Sequence, residues 1–136
     1  ISLQGYSDTA IGVAKKVQPS IVAISVEYSV NSIFNRSSGT VTAKGSGIII
    51  SEDGYILTNY HVVELAISNN YEIEKANKVT VKLYNDDTEY TGKIIGTDSQ
   101  TDLAVIKIDK DGLTVAELGD SSSVQVGEFA MAIGSP

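Results

Sequence analysis

Hydrophobic and polar residues follow two different rhythms along this chain. Between residues 7 and 17 the apolar Ile11, Ala14 and Val17 recur every third position, with Lys15 and Lys16 near the end and Pro19 just beyond. That spacing and those end signals predict a short helix. From residue 21 to 30 the rhythm changes to alternation, Val22, Ile24, Val26, Tyr28 and Val30 against Ala23, Ser25, Glu27 and Ser29, which predicts a strand buried on one face.

Residues 31–40 are polar and turn-rich and predict an exposed loop. Strands are expected over 41–50 and 55–58, because Ser51-Glu52-Asp53-Gly54 places Asp-Gly between apolar β-formers, a hairpin signal. Residues 62–66 are expected to form a helical turn or a buried connection, and 68–77 a polar loop. A second hairpin follows. Val79, Val81 and Leu83 are expected inward and Thr80 and Lys82 outward, with Asn85-Asp86-Asp87-Thr88 turning into a strand over 89–97. Residues 103–108 and 124–133 read as further strands, separated by a Gly-, Asp- and Ser-rich connection over 109–123. Short strands punctuated by turns indicate an all-β sandwich or barrel.

Composition narrows the function classes. The 136 residues suit one domain with a core, and 42% hydrophobic with 20% charged residues is a globular composition. A net charge of −7 repels phosphate backbones, so no nucleic-acid partner is expected. There is no cysteine, which removes disulfides, thiolate metal sites and cysteine nucleophiles while leaving the redox compartment open. The longest apolar runs are far shorter than the ~20 residues that span a bilayer. No signal peptide opens the chain, and Ile1 stands where an initiator methionine is expected, which points to a trimmed sequence with any anchor lost upstream.

His61 is the only histidine, which excludes metal sites built on two imidazoles. A lone histidine by itself often only packs. Its surroundings point further. Gly45-Ser46-Gly47-Ile48-Ile49-Ile50, followed by Gly54-Tyr55-Ile56-Leu57-Thr58-Asn59-Tyr60-His61-Val62-Val63, resembles the histidine region of the HtrA/Deg family of trypsin-fold serine proteases. Gly96-Thr97-Asp98 with Thr101-Asp102-Leu103-Ala104-Val105-Ile106 resembles the aspartate region of the same family. The likeness continues through Leu118-Gly119-Asp120-Ser121 and Val126-Gly127-Glu128 to Ala132-Ile133-Gly134-Ser135-Pro136, so it covers nearly everything from Pro19 onward.

The resemblance implies a trypsin-like six-stranded antiparallel β-barrel, the first of two, preceded by a short N-terminal helix. Its expected divisions are a lead and helix over 1–18, the barrel over 19–110, and over 111–136 a linker with the first strand of a second barrel. It implies that His61 and Asp102 are the base and orienting acid of a Ser-His-Asp triad, in the chain order of chymotrypsin-type enzymes. No cofactor or metal is expected. It further implies polypeptide substrates, misfolded or regulatory, a C-terminal half of the protease domain as partner, a PDZ domain, a trimer, and a place in the cell envelope or outside the cell, membrane-anchored by an upstream segment.

The family's Gly-Asn-Ser-Gly-Gly nucleophile segment does not occur in these residues. Gly119-Asp120-Ser121 imitates the trypsin-branch version, but Ser122 and Ser123 follow where two glycines belong. Ser46, within Gly45-Ser46-Gly47, fits neither a nucleophile elbow nor a phosphate loop and reads as a strand with close backbone approach. Asp109-Lys110-Asp111-Gly112 opens like a calcium loop, yet its glycine falls two positions early and no glutamate closes it. The chain by itself is therefore expected to be inactive. It is also expected to self-associate through unpaired apolar edges or to leave its C-terminal strand misplaced. The competing reading is a non-catalytic β-barrel module for peptide binding or assembly.

Overall fold

The alternation over residues 21–28 becomes a strand with one buried face, that of Val22, Ile24, Val26 and Tyr28, in a computed structural model that describes residues 2–31, 38–67 and 78–135. The elements in chain order are α1 (Leu3–Val17), β1 (Ile21–Asn31), β2 (Ser38–Ile49), β3 (Tyr55–Thr58), α2 (Tyr60–Ile67), β4 (Lys78–Lys82), β5 (Tyr90–Thr91), β6 (Lys93–Asp98) and β7 (Leu103–Lys107). All seven strands form one antiparallel sheet in the order β5-β4-β1-β2-β3-β7-β6.

The two ends of that order are consecutive in the chain. Only Gly92 separates β5 from β6, so the sheet curls until its first and last strands meet in one bent path. Counted that way, the curled half-barrel has the six strands that the resemblance implies. A Cβ at Gly92 would stand 2.7 Å from Ile106 Cγ2 and 3.1 Å from Val79 Cγ1. The bend crosses the core too closely for any side chain.

Inside the curl lie Val22, Ile24 and Val26 of β1, Ile49 of β2, Ile56 of β3, Val79 and Val81 of β4, and Ala104 and Ile106 of β7. Val62, Val63 and Ala66 close it from the side of α2. Polar groups drawn into this core keep partners: Thr58, 4% exposed, donates its hydroxyl to the Ser46 carbonyl at 2.8 Å. The β2–β3 hairpin forms as expected, with Ile49 opposite Ile56. At its turn Gly54 has φ +108°, and a Cβ there would collide with the Ile108 carbonyl oxygen. Glycine meets both demands.

Several expectations need correction. The helix begins at Leu3, earlier than residue 7, because the Ser2 hydroxyl accepts from Gly5 N at 3.0 Å and caps it. Asn31 and residues 38–40, expected in a loop, belong to β1 and β2, where 38–40 pair with 29–31; residues 32–37 of that loop and the one expected over 68–77 lie outside the described residues. The strand expected over 89–97 is two strands split at Gly92, and within β6 the register shifts between Ile94 and Gly96, leaving Ile95 as a bulge. Thr80, expected outward, is buried. It lies between Ser25 and Thr91 on neighbouring strands, and Glu89 reaches Lys78 at 3.5 Å and Lys82 at 4.0 Å on either side of it.

The largest departure is at the C-terminal end. Residues 124–133 form no strand, and Val124, Val126 and Phe129 are exposed. Among the described residues no neighbouring strand offers them a ladder, and a turn interrupts the run: Glu128 N donates to the Gln125 carbonyl at 3.2 Å and Gly127 has φ +95°.

Candidate active site

The site follows from the register of two strands. β3 and β7 are antiparallel neighbours with Thr58 opposite Ala104, so the exit of β3 lies beside the entry to β7. His61 stands three residues past the exit, in the first turn of α2, and Asp102 immediately precedes the entry. Residues far apart in sequence thus reach one edge of the half-barrel.

Four hydrogen bonds join the two segments. His61 Nδ1 lies 2.8 Å from Asp102 Oδ2, and the His61 main-chain N–H donates to Asp102 Oδ1 at 2.9 Å. Tyr60 N and Asn59 Nδ2 both donate to the Asp102 carbonyl, at 3.1 and 2.9 Å. The carboxylate and the carbonyl of one residue are therefore each held twice. Asp102 adopts φ +56°, a left-handed conformation that aspartate tolerates better than most residues yet still at a cost of about 1–2 kcal/mol. These contacts offset that cost.

The geometry fixes the histidine tautomer. With a carboxylate facing Nδ1, that nitrogen carries the proton and Nε2 is left as the acceptor. The His61 ring N–H and then its main-chain N–H hold the Asp102 carboxyl below its ordinary value of 3.8. Both side chains are open to water, 66% exposed for His61 and 44% for Asp102.

Behind His61, α2 is held by Val62, Val63 and Ala66 in the core. Val62 packs onto β2 where Gly45 leaves room; a Cβ at Gly45 would lie 2.6 Å from Val62 Cγ2. The close backbone approach expected at Gly45-Ser46-Gly47 thus serves to bring the histidine helix against the sheet. Ser46 itself is occupied structurally, its hydroxyl accepting from Ser135 N at 2.8 Å. Ser121 starts a short 3-10 turn capped by Asp120, and among the described residues no hydrogen bond joins it to His61.

Asn59 is the site residue that sequence reasoning does not single out. It falls within the histidine motif, but only the adjacency of β3 and β7 brings its carboxamide to Asp102. An asparagine at the end of a strand and next to a helix start is the available signal, and it reads first as a helix cap.

Comparisons with known proteins bear on the family and the fold. Residues 45–136 match the family model described as trypsin-like peptidase domain. A DegP-like periplasmic serine endoprotease of Pseudomonas savastanoi pv. phaseolicola is 51% identical over 92 residues, covering 68% of this chain and 17% of the relative. Its counterpart from a Marinomonas strain is 45% identical over 98 residues, covering 72% and 19%. One from Chlamydia trachomatis is 46% identical over 93 residues, covering 68% and 16%. The chain thus spans less than a fifth of the length of these relatives. Among solved structures, "HtrA-type protease AlgWS227A with decapeptide" superimposes with a TM-score of 0.72 at 25% identity, covering 86% of this chain and 37% of that one. The relatives' names, periplasmic in each case, support an extracytoplasmic location. The chain belongs to the trypsin-like peptidase domain family, as an N-terminal part of a DegP/HtrA-like protease domain.

Proposed function

We propose that His61 and Asp102 are the general base and the orienting acid of a Ser-His-Asp endopeptidase whose nucleophile lies outside these residues. The observation that carries the reading is the 2.8 Å contact between His61 Nδ1 and Asp102 Oδ2. It leaves Nε2 free to take the serine proton as the hydroxyl attacks a peptide carbonyl, and to return that proton to the leaving amine. Asp102 keeps the ring in that tautomer and stabilises the imidazolium formed between the two transfers. Residues 19–110 act as the first barrel and 111–136 as the link to the second.

In the intact protein the substrates are polypeptides, misfolded or regulatory, and the C-terminal half of the protease domain supplies serine and oxyanion hole. A PDZ domain, a trimeric assembly and an upstream membrane anchor complete the proposal. No helix among the described residues is long and apolar enough to cross a membrane. The test uses the full-length protein, cleavage of an unfolded protein such as casein, and labelling by a fluorophosphonate. Asp102→Asn is expected to lower kcat about 10⁴-fold, and His61→Ala at least as far. The chain of 136 residues is expected to cleave nothing. Full activity in the His61→Ala protein would overturn the reading.

A further inference from the structure

One contact at the edge of the catalytic pair comes from a third side chain, that of Asn59. This residue sits between the last residue of β3 and the first of α2, and it is exposed. An exposed carboxamide buries little surface, so packing does not account for it. Its side-chain N–H reaches across to the carbonyl of Asp102 at 2.9 Å, where Tyr60 N also donates. Asp102 is one of two non-glycine residues with positive φ among those described, the other being Asn85 in a turn.

A left-handed residue at a strand entry has an easier alternative, the extended conformation of the strand that follows. If Asp102 relaxed that way, its carbonyl would rotate away from Asn59 and Tyr60, and its carboxylate would leave the His61 ring and main-chain N–H. The Tyr60 N–H is fixed by the start of α2 and cannot follow. Among the described residues of the site, Asn59 is the one whose side chain grips the Asp102 backbone itself.

We propose that Asn59 is a positioning residue for the catalytic pair: its carboxamide clamps the Asp102 carbonyl, holds the aspartate in its left-handed conformation, and so aims the carboxylate at His61. The inference rests on the proposed peptidase function for its kinetic consequence, but not for its structural one. Two readouts keep them apart. The first is ¹³C NMR titration of the Asp102 carboxyl, with the low-field His61 Nδ1–H resonance, both in this chain. The second is kcat and KM for a peptide substrate in the full-length protein.

In Asn59→Ala the Asp102 carboxyl should titrate closer to 3.8, since it spends less time on the two His61 N–H groups that hold it below that value. The sign is fixed: the pair is intact above 3.8 and dissolves as pH falls through the carboxyl's folded-state value, so the variant loses the low-field resonance at higher pH than the parent. In the full-length protein kcat should fall about tenfold, the effect of losing one such bond from an aligned pair, with KM within about twofold. Asn59→Ser, whose hydroxyl is a shorter donor, should recover part of both. Asn59→Leu matches the shape without the donor or a charge, and should reproduce the alanine defect if Asn59→Ala fails to fold.

An unshifted carboxyl titration together with an unchanged kcat in both donorless variants would overturn the proposal. So would a rise in KM with kcat preserved, which would make Asn59 a substrate contact. If His61→Ala left cleavage intact, the peptidase reading would fall while the titration still decided the role of Asn59.

Discussion

The curled sheet and the C-terminal segment are built from similar residues and have opposite fates. In the sheet, Val22, Val26, Val81 and Ile106 are wholly buried. In the segment after residue 109, Val124 is 65% exposed, Leu118 74% and Val126 fully so. Three main-chain donors tie that segment to the barrel: Leu113 N to Glu52 O, Ala116 N to Ile49 O, and Ser135 N to the Ser46 hydroxyl. Valine and phenylalanine favour strands in both regions, so propensity does not separate them. A neighbour does. The barrel's strands each find a partner within the chain, and the partner for residues 124–133 is not among the described residues. A sheet residue is stabilised by what lies opposite it.

The largest effect expected from this contrast is thermodynamic. Ile106→Ala removes a side chain from the centre of the core and should cost about 2–5 kcal/mol, whereas Val126→Ala should change stability by less than about 0.5 kcal/mol. Urea unfolding of the two variants measures both. A loss at Val126 comparable to that at Ile106 would show the segment packed in solution, by a second copy of the chain or by itself, and would break the comparison.

The same contrast explains what was legible in the sequence. β1 could be read from alternation because Val22, Ile24, Val26 and Tyr28 on one of its faces are buried, and the β2–β3 hairpin because Asp53-Gly54 states its own turn. Local signals of that kind do not report neighbours. The split at Gly92 was hidden because its cause is Ile106 and Val79, which reach it only once the sheet has curled. Thr80 alternates like an outward residue yet is buried, between strands on both sides and with Glu89 reaching Lys78 and Lys82. The strand expected over 124–133 fails for the complementary reason: among the described residues no strand lies beside it, and a turn at Gly127 breaks the run. At the site, His61 and Asp102 are expected from motif resemblance. Their 2.8 Å contact and the clamp from Asn59 depend on β3 lying beside β7, which no local pattern encodes.

A substitution at the seam between sheet and helix sharpens the comparison further. Gly45→Ala puts a methyl group 2.6 Å from Val62 Cγ2, and overpacking of this kind costs about 1–3 kcal/mol. α2 must shift to accept it, and His61 moves with it. Combining Gly45→Ala with Val62→Ala opens the same space from the other side, so the double variant should be more stable than the sum of the single losses predicts. Strict additivity in urea unfolding would mean that Gly45 serves the strand and not the helix that carries His61.

The smallest effect belongs to the ion pair that joins α1 to the C-terminal segment. Lys16 Nζ lies 3.1 Å from Glu117 Oε2, with side chains 67% and 80% exposed. Water screens such a pair, and two long side chains lose rotamer freedom to make it. Glu117→Gln should therefore alter stability by less than about 0.5 kcal/mol, and raising the salt should leave even that difference smaller. A loss above about 1 kcal/mol would require the pair to be shielded from solvent, hence the segment to lie closer to the helix than its exposed apolar residues indicate. No measurable change leaves the three main-chain donors, with Leu113 against the core and Phe129 edge-on to Tyr6, as what holds the segment. Those bonds fix where the backbone runs without burying its valines, which is the state expected of a strand without its sheet.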